Sequence, residues 1–235
     1  MAPEPQARRP WLYADDATIP APLRAVFVSR VTFASGAERS VTRPFASNAA
    51  APGGLAEVGG EVGLLPTLSL GAAGIVGFGD GLAGGMVGGL RFAPFARSPS
   101  SFRLVLEGGY LRDRSSENGA YAKVAASFDY QRLRLASAAH GEHVFAKGRD
   151  GVDLLVTLGA SLRVAGPLRL GVEYVGQDLE EIDGDEAEGG ARHFLGPTLA
   201  VDLLDHRLML AGGPAAGLSE HSPRAVGRLS IAYAF

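Results

Sequence analysis

Arg228-Leu229-Ser230-Ile231-Ala232-Tyr233-Ala234-Phe235 is the stretch that decides the fold. Successive side chains of a strand point to opposite faces, so Leu229, Ile231, Tyr233 and Phe235 share one face. The other face carries Arg228, Ser230, Ala232 and Ala234. One side is wholly apolar and the other small or charged. Such a strand finishing on an exposed phenylalanine suits hydrocarbon on its apolar side far better than water.

Working back from this stretch, segments of ten to twelve or so residues with the same period-two pattern recur between turn signals, as in membrane barrels. Twelve are found, at about 24–34, 55–65, 67–77, 82–93, 101–112, 119–130, 132–145, 151–164, 167–177, 190–203, 206–218 and 224–235. Val152, Leu154, Val156, Leu158 and Leu162 share a face in the eighth, Leu168, Leu170, Val172 and Tyr174 in the ninth, and Leu104, Leu106 and Tyr110 in the fifth. Their opposite faces hold Asp153, Thr157, Ser161 and Arg163, then Arg169 and Glu173, then Arg103 and Glu107. A charge on the lipid side would cost roughly 2 to 4 kcal/mol near the bilayer midplane, so this sorting is what a membrane demands. A soluble sandwich also alternates, but its wet face is rich in long polar residues. Here many of those places are small, as at Gly59, Gly63, Gly85, Gly89, Ala136 and Ala138, which suits a curved, crowded interior.

This pattern, with Tyr233 and the final Phe235, resembles the C-terminal strand of bacterial outer-membrane β-barrels of the porin-like superfamily. The resemblance covers residues 24–235 and carries no subfamily motif. It implies an all-β fold, a closed antiparallel up-and-down transmembrane β-barrel of about twelve strands, with ten as the alternative if the first segment and one hairpin fail. It also implies the outer membrane of a Gram-negative-type bacterium, contact with its lipid, and recognition of Tyr233 and Phe235 by the barrel insertion machinery.

The connections supply an independent check, because such barrels have short periplasmic turns and longer outer loops. With both chain ends on the periplasmic side, the odd-numbered connections are the outer ones. They include Ser35 to Gly54, Asp113 to Asn118, Lys147 to Asp150 and the acidic Asp178 to Gly189, against Leu65-Pro66, Gln131, Ala165-Gly166 and Leu204-Asp205 on the other side. Pro94 to Ser100 is long for a periplasmic turn and Asp80-Gly81 short for an outer one. Pro197 and Pro214 interrupt the tenth and eleventh strands and are expected at bulges. Residues 1–23 contain Pro3, Pro5, Pro10, Pro20 and Pro22, which forbid ladder pairing, so they form an extended Pro-rich tail before a barrel of residues 24–235. Within the tail Trp11-Leu12-Tyr13 is placed to anchor at the barrel mouth or the membrane interface.

Composition removes several other classes. A net charge of −3 excludes the concentrated basic surface that nucleic acid requires. The absence of cysteine excludes disulfides and thiolate metal sites and agrees with passage through an oxidising periplasm. Arg8 and Arg9 are not followed by an apolar stretch, so the chain is expected to be a mature form whose secretion signal is not included. Val62 to Gly79 is uncharged, but Pro66 and five glycines weaken any helix there, and it reads as two strands turning at Leu65-Pro66-Thr67.

The inward positions nominate the functional residues. Arg91, Arg103, Glu107, Arg134, Glu142, Asp153, Arg163, Arg169, Glu173, Arg207 and Arg228 are expected to line the lumen. Up-and-down order places Arg91, Arg103, Arg134, Arg163, Arg169 and Arg207 low, and Glu57, Glu61, Glu107, Glu142, Asp153 and Glu173 higher. That predicts a basic lower ring beneath an acidic middle and upper part. Twelve strands lie between the eight that side chains fill and the sixteen that leave a wide pore. The expected function is therefore a narrow passive channel for small polar or charged solutes. The alternative is a closed structural or partner-binding barrel, and the third is a lipid-acting enzyme.

Enzymatic chemistry finds little support. His140 and Glu142 face inward while His143 faces outward, so the two histidines share no metal or proton relay, and Ser137 lies roughly 20 Å along the strand from His143. Gly84-Gly85-Met86-Val87-Gly88-Gly89 lies within a strand without the Lys-Ser/Thr of a phosphate loop. The acidic run Asp178 to Glu188 lacks the placed ligands of a calcium loop and reads as a solvated segment that attracts cations. No cofactor or metal is expected.

Overall fold

The computed structural model describes residues 17–35, 54–78, 84–95, 101–113, 116–146, 152–177, 179, 191–220 and 222–235. Twelve strands follow in chain order: β1 (Ala25–Ser35), β2 (Gly54–Leu65), β3 (Leu68–Phe78), β4 (Gly84–Phe92), β5 (Phe102–Arg112), β6 (Asn118–Tyr130), β7 (Leu133–Val144), β8 (Asp153–Ala165), β9 (Leu168–Gln177), β10 (Arg192–Leu203), β11 (Leu208–Gly217) and β12 (Ala225–Ala234). Each pairs antiparallel with its sequence neighbours, and β1 pairs with β12, so the sheet closes on itself. Twelve strands, not ten, make the cylinder.

At about 3.3 Å per residue and a tilt of about 45°, a strand of roughly eleven residues spans about 25 Å, the height of a bilayer's apolar band. The outer surface matches that band. Leu70, Leu90, Leu106, Leu158, Leu170 and Leu199, each on a different strand, are 45–49% exposed. Apolar residues continue around the wall at Val124, Leu135, Leu210 and Ile231. An apolar belt encircling the molecule far exceeds the patches that water-soluble monomers tolerate. Aromatic residues border it at both ends. Phe27, Phe92, Phe102, Phe128, Tyr130 and Phe235 lie at the short-turn end, and Phe33, Tyr110 and Phe145 at the other.

The turns fix the orientation. Pro66-Thr67, Gln131-Arg132, Gly166-Pro167 and Leu204 to Arg207 are all short and all at one end, the end at which β1 begins and β12 finishes. Positive φ at Gly166 (45°) and Gln131 (52°) makes two of them tight.

Pro197 and Pro214 do not sit at bulges. The β10–β11 register is the same from Phe194↔Gly217 through Leu199↔Gly212, and the pairing simply lapses at the positions between. The two prolines fall opposite each other in that lapse, where neither has an N–H to donate. The register shifts are elsewhere, between Gly63 and Leu65 and between Arg163 and Ala165, each beside a short turn.

The segment before β1 turns into the barrel. Ala17 is 2% exposed and packs with Ile19 against Ala93, Val105, Ala125 and Ala138, all on the inner wall. Leu23 N–H donates to the Gly63 carbonyl and Gly63 N–H to the Arg24 carbonyl, both at 2.9 Å. Trp11, Leu12 and Tyr13 lie outside the described residues, as do most of the Ser35 to Gly54 connection, Lys147 to Asp150 and nearly all of Asp178 to Gly189.

Candidate functional site: the barrel lumen

Antiparallel register partners point to the same face of a sheet, so a charged row can be followed strand by strand. Ser69 pairs with Arg91, Arg91 with Glu107, Glu107 with Lys123, and Lys123 with His140. Arg91, 2% exposed, lies between two carboxylates, 2.8 Å from Glu61 and 2.9 Å from Glu107. Lys123 Nζ reaches the same Glu107 at 2.7 Å. Ser69 donates its hydroxyl proton to Glu61, and Tyr121 donates to Glu107 at 3.0 Å. The Tyr121 ring stacks on His140, centroids 5.4 Å apart. Two cations and two carboxylates thus run along the wall from β2 to β6, the arrangement that lets buried charges avoid most of their desolvation cost.

Glycine makes the row possible. A Cβ at the inward-facing Gly89 would overlap the Tyr121 hydroxyl and crowd the Gly108 carbonyl at 2.6 Å. The glycine-rich run of β4 is therefore the floor on which Tyr121 lies, not a phosphate loop.

The other nominated residues are placed around this row. Arg134, 1% exposed, holds Asp129 with two hydrogen bonds, at 2.6 and 2.7 Å, and Arg103 reaches the same carboxylate at 3.1 Å. Arg169 donates to Ser161 at 3.3 Å and to the Arg132 carbonyl at 3.4 Å. Glu173 accepts from Thr198 at 2.7 Å, and Arg228 donates to Thr32 at 2.8 Å. Glu142 is buried 3.5 Å from His140, and Asp153 is its half-buried register partner. His143 faces outward, exposed and edge-on to Phe145.

Two placements are corrected. Arg207 is exposed in the β10–β11 turn and lines no lumen, because the strand begins one residue later than its alternation suggests. Arg163 points inward by parity but is exposed at the short-turn mouth. There it borders a cavity of about 180 Å³ with Arg169, Asp202, Asp205 and His206. The vertical order of charge is also different from that expected. Asp129 and Asp202 stand among the lower arginines, while Lys123 and Arg30, the latter 3.0 Å from Glu57, stand in the middle. The outer half is largely apolar, with Leu55, Ile75, Leu111 and Val144 buried on one wall and Leu155, Val175, Phe194 and Val226 on the other.

Lys123, Asp129, Arg30, Ser69 and Tyr121 were not nominated from the sequence. Lys123 and Asp129 share the inward parity of β6 with Tyr121, which is the signal that identifies them. Arg30 follows Val26 and Val28 on an inner face as apolar as the outer one, so alternation of polarity does not mark it.

A closed twelve-stranded cylinder, apolar outside and charged across its middle, has the architecture of a transmembrane β-barrel. Among solved structures the chain is similar to the COG4313 outer membrane channel from Pseudomonas putida F1, with a TM-score of 0.60 at 10% identity, covering 96% of this chain and 99% of that one. Weaker likenesses include OccK1 of Pseudomonas aeruginosa (TM-score 0.45, 13% identity, 95% and 72% covered) and OmpF of Salmonella typhi (0.39, 9%, 93% and 98%). At such identities the likeness is one of fold. No known family profile and no curated protein sequence matches the chain.

Proposed function

We propose that the chain is a narrow passive channel of the Gram-negative outer membrane, passing small polar or charged solutes past a charged constriction. The observation that carries this reading is the Glu61–Arg91–Glu107–Lys123 row, which borders a cavity of about 70 Å³ also lined by Arg30 and Glu57. Cations and carboxylates facing one small polar space act on a passing solute through a local field, strong where water is scarce. The fold likeness to an outer membrane channel of nearly equal coverage supports the same reading. Purified protein in planar bilayers is expected to give discrete conductance steps, with ion selectivity altered by Lys123→Gln; bilayers that stay at background current refute the reading.

The buried ion pairs favour a second reading, a closed barrel whose outer connections engage a partner. In that case Arg103→Ala or Arg169→Ala lowers thermal stability while permeability stays at background.

A further inference from the structure

We infer that the cavity at the short-turn mouth of the barrel is a binding site for a small zwitterion, a molecule of amino-acid size with one carboxylate and one ammonium group. The site lies apart from the charged row in the middle of the lumen, and its occupancy does not depend on whether the lumen conducts. Two hairpins enclose it. On one side β8 and β9 supply Arg163 and Arg169, direct register partners whose side chains therefore share a face. On the other, the end of β10 and the turn after it supply Asp202, Asp205 and His206. The Asp202 N–H donates to the Pro167 carbonyl at 3.0 Å, which fixes the second hairpin beside the first.

The charges around this space are opposed yet not joined. Among the described residues neither Asp202 nor Asp205 forms an ion pair with Arg163 or Arg169, although all four border one cavity. Like charges directly opposite each other on a sheet repel, so two facing guanidinium groups call for an anion between them. A carboxylate matches the planar guanidinium fork. Asp202 makes the complementary demand. Its side chain is only 10% exposed, its Oδ2 is held by His206 Nδ1, and its Oδ1 is buried with no hydrogen-bond donor among the described residues. A buried carboxylate oxygen without a donor is costly, and a cationic donor entering the cavity offsets that cost. Asp205, exposed beside it, adds a second negative charge on the same side.

Size and charge together select the guest. The volume of about 180 Å³ is about six times the share of liquid that one water takes, roughly 30 Å³, so it holds only a few non-hydrogen atoms. A lone anion seated on the arginines faces the two aspartates, and a lone cation seated on the aspartates faces the two arginines. A small zwitterion satisfies both sides at once.

The probes are alanine, propionate, which lacks the ammonium, and ethylammonium, which lacks the carboxylate. Each is titrated into the intact protein in neutral detergent micelles and followed by saturation-transfer NMR, with the gel shift between heated and unheated samples confirming that every variant is folded. Alanine is expected to saturate and both half-molecules to bind at least about tenfold more weakly, the factor that one charge-assisted hydrogen bond supplies. Arg163→Gln and Asp205→Asn should each weaken alanine by a similar factor. Both side chains are exposed, and asparagine tolerates the left-handed φ of 51° at position 205, so the two substitutions leave the wall intact. The inference is overturned if alanine gives no saturable signal, if propionate binds as tightly as alanine, which makes this a plain anion site, or if neither substitution weakens alanine, which puts the binding elsewhere. A barrel that binds alanine in this way but stays at background current in bilayers keeps the site and loses the channel.

Discussion

Replacing Arg91 by methionine removes one cation from between two carboxylates while keeping an unbranched stem of nearly the same length. Arg91 is 2% exposed, and its ion pairs to Glu61 and Glu107 measure 2.8 and 2.9 Å. Afterwards Glu107 retains Lys123 and the Tyr121 hydroxyl, whereas Glu61 retains the Ser69 hydroxyl. Breaking a buried pair by deleting one partner costs about 3–5 kcal/mol, against about 0–1 kcal/mol for an exposed, water-screened pair. Glu61 is itself only 6% exposed, so the buried figure applies, and we expect a loss of at least about 3 kcal/mol for Arg91→Met. The assay is reversible urea unfolding of the barrel in lipid vesicles, read by the shift in gel mobility between heated and unheated samples. Glu61→Gln added to Arg91→Met should restore part of the loss, since it removes a buried carboxylate that has lost its Arg91 partner. In bilayers the single substitution should also shift selectivity towards cations, because the lumen becomes more negative by one charge. A destabilisation below about 1 kcal/mol refutes the reasoning, for it means that free water screens the row as it does at a surface.

Other expectations follow from the same placements. Arg134→Ala should destabilise by about 1.5–3 kcal/mol, because Asp129 loses a bidentate partner but keeps Arg103 and some contact with water, while Arg207→Ala in its exposed turn should fall within about 0.5 kcal/mol of the parent by the same unfolding measurement. Leu158→Arg, midway along the outer face of β8, should cost about 2–4 kcal/mol in lipid, and an unchanged stability would place that face away from hydrocarbon. Gly89→Val should displace Tyr121 from Glu107 and reduce the yield of the fast-migrating folded form on unheated gels.

The wall was legible in the sequence because a strand with lipid on one side and lumen on the other must sort its residues with period two. The segment read at 132–145 is β7 at Leu133–Val144, and that read at 206–218 is β11 at Leu208–Gly217. The lumen was legible only where its face contrasted with the outer one. Glu107, Arg134, Arg169 and Glu173 stood out against leucines, whereas the buried Leu55, Leu111, Val175 and Phe194 are as apolar as anything facing lipid. The placement of residues 17–22 was illegible for another reason: prolines exclude ladder pairing but leave open where an extended segment lies. Arg207 was misplaced because its parity was extended one residue past the strand.

Closure of the cylinder depends on Val26 meeting Ala234 and Ala34 meeting Val226, the earliest and latest strands of the chain. Eleven other hairpin-linked seams can zip as the polypeptide emerges; this one must wait for the whole of it. Until then β1 offers an unsatisfied row of amides to any passing strand, the template from which aggregates grow. The kinetic hazard of this molecule is thus concentrated at a single vertical joint, and whatever shepherds it into the bilayer has that joint to guard.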